Sequence, residues 1–448
     1  MNSWCPARAQ RRCSSSAPQG VAKVRRWIAA QVPRSLSDVP FRRYWLGQGL
    51  SLVGDQIRML ALPLTAVLVL HADATGMALL SAVGMLPWLL FSVHAGAFVD
   101  RRGRRRQTML AADALRALLL VLVPAAFLLK LISLPLLFSV SFLVGTCSVL
   151  FSVSASTLFV SLVPSDRYVE ASSLLSGSRA AAFFVGPGIA GYLIQLFGAP
   201  FALLADAVSF VASAASLAAI RPQEPPPTLR AQGDVLAGLR FIRSSPILRA
   251  SLGAAGTISL FQSFFAALYI LYATVSLHVT PFEWGIILGP SSVGALLASG
   301  LAARLSRRFG LGRTLLLGTL LYTVPYLLVP LAGGPHALVV ATLFLAECLV
   351  GAGSMIREIA SGTIQAVAIP DAVRARASAG FVGVSSGIRP VGALLAGGLA
   401  AFLGVHLTIW VATAGAALAF LWLIPLPLAR LHAAADFAKA AGPESVGG

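Results

Sequence analysis

The chain has 448 residues, 57% of them hydrophobic and only 11% charged, with a formal net charge of +18. Soluble domains are about 25% charged, so this composition excludes an ordinary soluble enzyme and makes a polytopic membrane protein the class to test. The basic residues lie between apolar runs, which assigns them to membrane topology and anionic lipid rather than to nucleic acid.

Residues 1–43 hold nine Arg and Lys against Asp38. They read as a basic cytoplasmic tail, largely disordered, with no apolar signal-peptide core before Tyr44. Twelve apolar runs of membrane length follow. The first six fall near 44–70, 75–99, 107–129, 134–163, 171–197 and 199–220. The second six fall near 250–274, 282–303, 313–333, 336–360, 378–403 and 407–428. Most are apolar all round, unlike the helices of a soluble bundle. The chain thus divides into a six-helix bundle over 44–220, a cytoplasmic linker over 221–249, a second bundle over 250–428 and a tail over 429–448.

Alternate loops carry the arginines. Arg101, Arg102, Arg104, Arg105 and Arg106 stand in the first such loop, with Arg167, Arg221, Arg240, Arg304, Arg307, Arg308, Arg374 and Arg376 in later ones. The opposite loops hold Lys130 and a few histidines. This asymmetry predicts that both termini are cytoplasmic. The linker starts RPQEPPP, a stiff polar spacer, and continues with Val235, Leu236, Leu239 and Ile242 at helical spacing, which reads as an interfacial helix.

A repeat crosses the linker. Pro164 and Pro370 are 206 residues apart, as are Gly198 and Gly404; Gly103 and Gly310 are 207 apart, as are Arg106 and Arg313. GPGIAGYLIQLFG at 186–198 matches GALLAGGLAAFLG at 392–404. A near-constant offset predicts two bundles of one topology. Cys5, Cys13, Cys147 and Cys348 are scattered and no HExxH occurs. No metal or cofactor is therefore expected.

The stretch GAFVDRRGRRR, residues 96–106, resembles the loop 2–3 signature G-x-L-a-D-r-x-G-r-r of the major facilitator superfamily. Gly96, Asp100, Arg101, Gly103, Arg104 and Arg105 are in place, with Phe98 for the usual Leu. In the second half RLSRRFGLGR keeps Arg308, Gly310 and Arg313 but has Arg307 where the acid would be. VGPGIAG in the fifth span resembles an exporter-associated GPxxGG signature through Gly186, Pro187 and Gly191. The fourth-span RxxxG signature is missing. FRRYWLGQGLSLVGDQI, LVPSDR, LLADAVSF and TIQAVAIPDAVRARASA are similar to the enterobactin-exporter and macrolide-efflux-like branch. The resemblance covers residues 44–428. It implies an all-α membrane protein of twelve transmembrane helices in two six-helix bundles related by a pseudo-two-fold axis. Spans 1, 4, 7 and 10 would line a central cavity, and spans 2, 5, 8 and 11 would join the halves.

The resemblance makes the basic elbow a conformational latch. Asp100 would approach the helix N-terminus near Ser378, where the helix dipole favours an anion. Ionisable residues inside spans cost about 2.5–3.5 kcal/mol each at the bilayer centre. Asp55 and Glu347 lie deep in spans 1 and 10 and are the proton-coupling candidates. Internal neutralisation of Asp55 by Arg58, one turn on, is the competing reading. Asp113 with Arg116, and Asp206, read as structural. Arg58, Gln262, Phe265 and Tyr269 are candidate substrate-cavity residues, with helix packing the alternative for the aromatic ones. Arg179, Gly186, Pro187, Gly191 and Arg389 are interface candidates, the arginines through pairing with carboxylates or binding of an anion. Arg357 and Glu358 are expected to snorkel.

These readings predict a monomeric exporter in a bacterial inner membrane. It would carry a drug- or siderophore-like small molecule against inward proton flow. A proton-coupled importer on the same fold is the alternative. No cluster of nucleophiles, metal ligands or acid–base pairs argues for an enzyme.

Overall fold

The structure, a computed structural model, describes residues 33–221 and 235–424. The expected tails up to residue 32 and over 429–448, and linker residues 222–234, lie outside the described residues, as does the side chain of Asp100. Twelve helices are long and apolar enough to cross a membrane. The first six are α1 (Val39–Leu68), α2 (Ala74–Arg102), α3 (Arg105–Leu128), α4 (Leu134–Leu162), α5 (Tyr168–Phe197) and α6 (Ala199–Ala218). The second six are α7 (Pro246–Ser276), α8 (Pro281–Phe309), α9 (Leu311–Leu331), α10 (His336–Ala368), α11 (Asp371–Leu403) and α12 (Val405–Trp422).

Three helices of the second half are irregular where the sequence removes a donor or loosens the ladder. The hydrogen-bond ladder of α8 is interrupted at Gly289 before Pro290, and α9 tightens to a 3₁₀ turn over Val324–Leu327 around Pro325. Proline brings no N–H to the helical ladder. Helix α7 ends in a π turn, Tyr272–Ser276, fixed by a hydrogen bond from Trp284 Nε1 to the Thr274 hydroxyl at 3.1 Å.

The two halves repeat one packing scheme. Helix α1 packs on α5 and α6, α2 on α4, and α3 on α4 and α6. Six helices later, α7 packs on α11 and α12, α8 on α10, and α9 on α10 and α12. The turns repeat as well. Gly198 has φ 84° and ψ 155° and Gly404 has φ 82° and ψ 163°. His71 and His278, 207 residues apart, both have positive φ, 49° and 55°. Asp73 and Thr280, at the same offset, are both helix N-caps whose side chains accept a backbone N–H.

The halves meet through α2 with α11 and α5 with α8. Among the described residues their closest approaches lie at one end. At the end away from the arginine loops, a Cβ at Gly285 would stand 2.8 Å from the Pro187 carbonyl oxygen, and one at Gly397 2.5 Å from Ala78 Cβ. Only glycine allows helices this close. Further along, a Cβ at Gly289 would stand 3.3 Å from the Phe184 carbonyl oxygen and one at Gly387 3.4 Å from Leu89 Cδ1, so the seam is still in contact there but looser. Toward the arginine loops, Gly96, Gly177, Gly300 and Gly383 each have open space within 4 Å. The halves therefore approach most closely at the end away from the arginine loops, and the space between them toward the arginine loops is the candidate vestibule.

The short helix Val235–Ser244 lies against α11 and α7. Its Ile242 is fully buried with Leu248, Ile369, Ala377 and Phe381. Arg240 and Arg243 are exposed. The expected interfacial helix is thus fastened to the second half of the protein through Ile242.

Candidate functional site

Asp55 follows Tyr44 by eleven residues, three helical turns, so both share one face of α1. The Tyr44 hydroxyl donates to the Ala155 carbonyl of α4 at 3.1 Å, so that face looks across the first bundle. Arg58 binds Asp55 at 2.5 Å and Asp206 of α6 at 3.1 Å. Asp206 is fully buried, while the side chains of Asp55 and Arg58 are 34% and 22% exposed. Helices α1 and α6 come this close because a Cβ at Gly54 would strike Ser209 and Asp206. One turn beyond Asp206, Phe210 lies 4.1 Å from the Arg116 guanidinium, which also stands 4.3 Å over the Phe151 ring and pairs with Asp113. The pairs expected on α1 and α3 therefore join through α6 into one string. Three carboxylates face two guanidiniums, which leaves one negative charge unmatched.

The second half builds its interior from aromatic rings instead. Glu347 of α10, 6% exposed, sits beside the Tyr269 hydroxyl. Tyr269 stacks on Phe265 at 4.3 Å and meets Trp284 edge-on at 4.9 Å; Phe265 meets Tyr326 at 4.4 Å. Phe265 and Tyr269 are buried in this stack. Rings from α8 and α9 take up much of their faces, and Phe265, with Gln262, also lines a narrow cleft between α7, α9 and α12. Gln262 is half-buried and lies 2.5 Å from the Tyr322 hydroxyl. Arg357 does not snorkel. Its guanidinium turns back over the Tyr322 ring, 5.2 Å from the centroid.

The basic elbow is a tight turn. Gly103 has φ 62° and its N–H reaches the Val99 carbonyl at 3.1 Å. Arg101, Arg102 and Arg104 are exposed and Arg105 is buried. Arg106 donates to the Leu217 and Ala218 carbonyls at 2.9 and 2.7 Å, and Arg43 to Ala219. The elbow thereby closes off the carbonyl end of α6. Ser378 is exposed.

Among the interface candidates, Pro187 and Gly191 lie on the α5–α8 seam. Gly186 does not; it packs within its own half against Gln56 of α1. Arg179 and Arg389 are both exposed, and neither has the expected carboxylate partner among the described residues.

A family model described as transmembrane secretion effector matches residues 33–445. The chain belongs to this family of major facilitator transporters. The multidrug efflux pump Tap of Mycolicibacterium fortuitum is 26% identical to this secretion effector over 371 residues, covering 79% of the chain and 88% of the relative. Multidrug resistance protein 1 of Bacillus subtilis is 26% identical over 268 residues, covering 56% and 64%. A bacterial homologue of the iron transporter ferroportin, solved in its inward-facing state, superposes with a TM-score of 0.68 at 19% identity, covering 88% and 99%. A single-residue mutant of the nucleoside transporter NupG superposes with a TM-score of 0.70 at 11% identity, covering 86% and 99%. Family and fold are those of membrane transporters of the efflux type, not of enzymes, and make this secretion effector a multi-pass bacterial membrane protein.

Sequence reasoning missed Tyr322 and Tyr326 of α9 and Trp284 of α8. Their one signal was the presence of aromatics in largely aliphatic spans. Among the described residues no group of His, Cys, Asp and Glu could hold a metal ion.

Proposed function

We propose that this secretion effector is a monomeric exporter of small, partly apolar, drug- or siderophore-like molecules, working by alternating access as a proton antiporter in the bacterial inner membrane. Positively charged loops stay on the cytoplasmic side, so the termini are cytoplasmic and the vestibule faces the cytoplasm. Cargo enters there. Closing the arginine end around the elbow of Gly96, Asp100, Arg101, Gly103, Arg104 and Arg105, and parting the α5–α8 seam, would release it on the other side. The names of the efflux relatives support the cargo class.

The observation that supports the reading is the ionic string of Asp55, Arg58 and Asp206 inside the first bundle. Its unmatched negative charge is balanced by one proton. A carboxyl that passes between wet and dry surroundings takes up and releases a proton. Glu347 in the second half is the other proton-coupling candidate. Asp55→Asn protein, present in the membrane at wild-type amounts, is expected to lose proton-driven ethidium efflux from cells. Efflux at the wild-type rate would remove Asp55 from coupling. In wild-type cells an uncoupler should raise intracellular ethidium; a fall would mark an importer.

A further inference from the structure

We propose that His336 is a proton-binding residue on the outer face of the protein, and that its pairing with Glu283 clamps the tip of α8 against α5, so that acid outside favours the closed seam. Its part in transport rests on the antiport reading; the clamp itself does not.

The tip is Pro281–Leu288, ahead of the interruption at Gly289. Pro290 brings no N–H to the Ile286 carbonyl, so a weakened ladder joins the tip to the rest of α8. The tightest contacts of the α5–α8 seam come from this tip. A Cβ at Gly285 would meet the Pro187 carbonyl oxygen, and one at Gly191 would stand 2.4 Å from the Pro281 carbonyl oxygen. At about 100° per residue, Pro281 and Gly285 share one side of the helix and Glu283 lies on the other. There Glu283 Oε1 stands 2.8 Å from Nε2 of His336, the first residue of α10. Its Oε2 accepts from the Thr280 N–H at 2.8 Å and the Thr280 hydroxyl at 2.9 Å. The tip is thus held between α5 and α10. Trp284 also anchors it, through Thr274, but that contact does not titrate.

A carboxylate only accepts, so His336 Nε2 carries the hydrogen between them. Below about pH 6.5 the ring is an imidazolium and the contact an ion pair. Above it the ring is neutral and the hydrogen bond roughly half as strong. The start of α10 disfavours a cation there, and Glu283 opposes that. The clamp therefore strengthens as outside pH falls and weakens as it rises. The other ionisable groups around it are few. His278 is exposed in the turn ahead of Thr280. His406 is engaged by the Tyr272 hydroxyl and the Trp410 N–H. Glu347 lies eleven residues further along α10, about 16 Å deeper. The charged residues of α5 and α9 are Glu170, Arg179 and Arg313, all toward the arginine loops. His71 and Lys130 stand in turns of the first half, and Asp73 is occupied in capping α2 at Gly76. A proton arriving from outside would in this way help return the protein to its cytoplasm-facing form.

Spin labels at Leu131→Cys, in an outer turn of the first half, and Phe282→Cys, on the tip, occupy exposed positions and report the gap between them. The full chain, with its four native cysteines changed to alanine, is measured in lipid nanodiscs by pulsed electron resonance. Readings at about pH 5.5 and about pH 8 bracket the histidine range. The ratio of short to long distances should fall about threefold between them, the size of a partly exposed ion pair. Glu283→Gln keeps the helix cap, since Gln also serves at that position. It should show the high-pH ratio of the wild type at both readings, as should His336→Gln, with unfolding temperatures near the wild type's. His278→Gln should keep the dependence on pH. A wild-type ratio that ignores pH, a dependence that survives in His336→Gln, or one abolished by His278→Gln would overturn the clamp. A clamp that follows pH in a protein unable to move ethidium against a proton gradient in proteoliposomes would retain the clamp and overturn the antiport reading.

Discussion

At the scale of single residues, the most consequential contact is Arg58 shared between Asp55 and Asp206. Its first half was legible, since an acid and an arginine three apart in an apolar run must face each other across one helical turn. Its second half was not. Asp206 is 148 residues from Arg58, and only the register of α1 on α6, set by Gly54, brings them together. The same holds for Phe265 and Tyr269: their spacing shows a stripe, but not that Trp284 and Tyr326 fill it. A buried charge whose partner is deleted costs about 3–5 kcal/mol. Arg58→Gln should therefore lower the thermal unfolding temperature of the detergent-solubilised protein. Arg58→Gln with Asp206→Asn should recover most of the loss. A single variant as stable as the wild type would mean that water, not Arg58, compensates Asp206.

At the scale of elements, all twelve spans were visible as apolar runs, and their ends were not. Helix α10 continues to Ala368 and α11 begins at Asp371, whereas hydropathy stops α10 near 360 and starts α11 near 378. Apolarity ends where lipid ends; the hydrogen-bond ladder ends where a cap or proline stops it, here Pro370. The elbow shows a related gap. Its arginines read as topology signals and latch parts, yet Arg106 is also tied to the last carbonyls of α6. Hydrogen bonds to charged groups contribute about 1.5–3 kcal/mol. Arg106→Ala should destabilise the first half by about that amount, with faster backbone hydrogen exchange over the final turn of α6. Unchanged exchange there would show that Arg43 and solvent suffice.

At the scale of the whole molecule, the repeat of 206 to 207 residues foretold the architecture because turn glycines, N-caps and prolines are local and survive duplication. It could not foretell the division of chemistry. The position matching Asp55 is Gln262 and that matching Arg58 is Phe265, so one half kept ionic groups where the other kept rings. The looser seam toward the arginine loops was equally hidden, since the same glycines fit a closed or a parted seam.

The berth of helix Val235–Ser244 on α11 has a last consequence. It makes that helix part of the second half's own body. A gene interrupted immediately before Val235, with the two polypeptides made in the same cell, should yield subunits that find each other through the α2–α11 and α5–α8 contacts, co-purify, and rescue dye resistance. An interruption just after Ser244 would orphan Ile242 from its socket and should rescue far less.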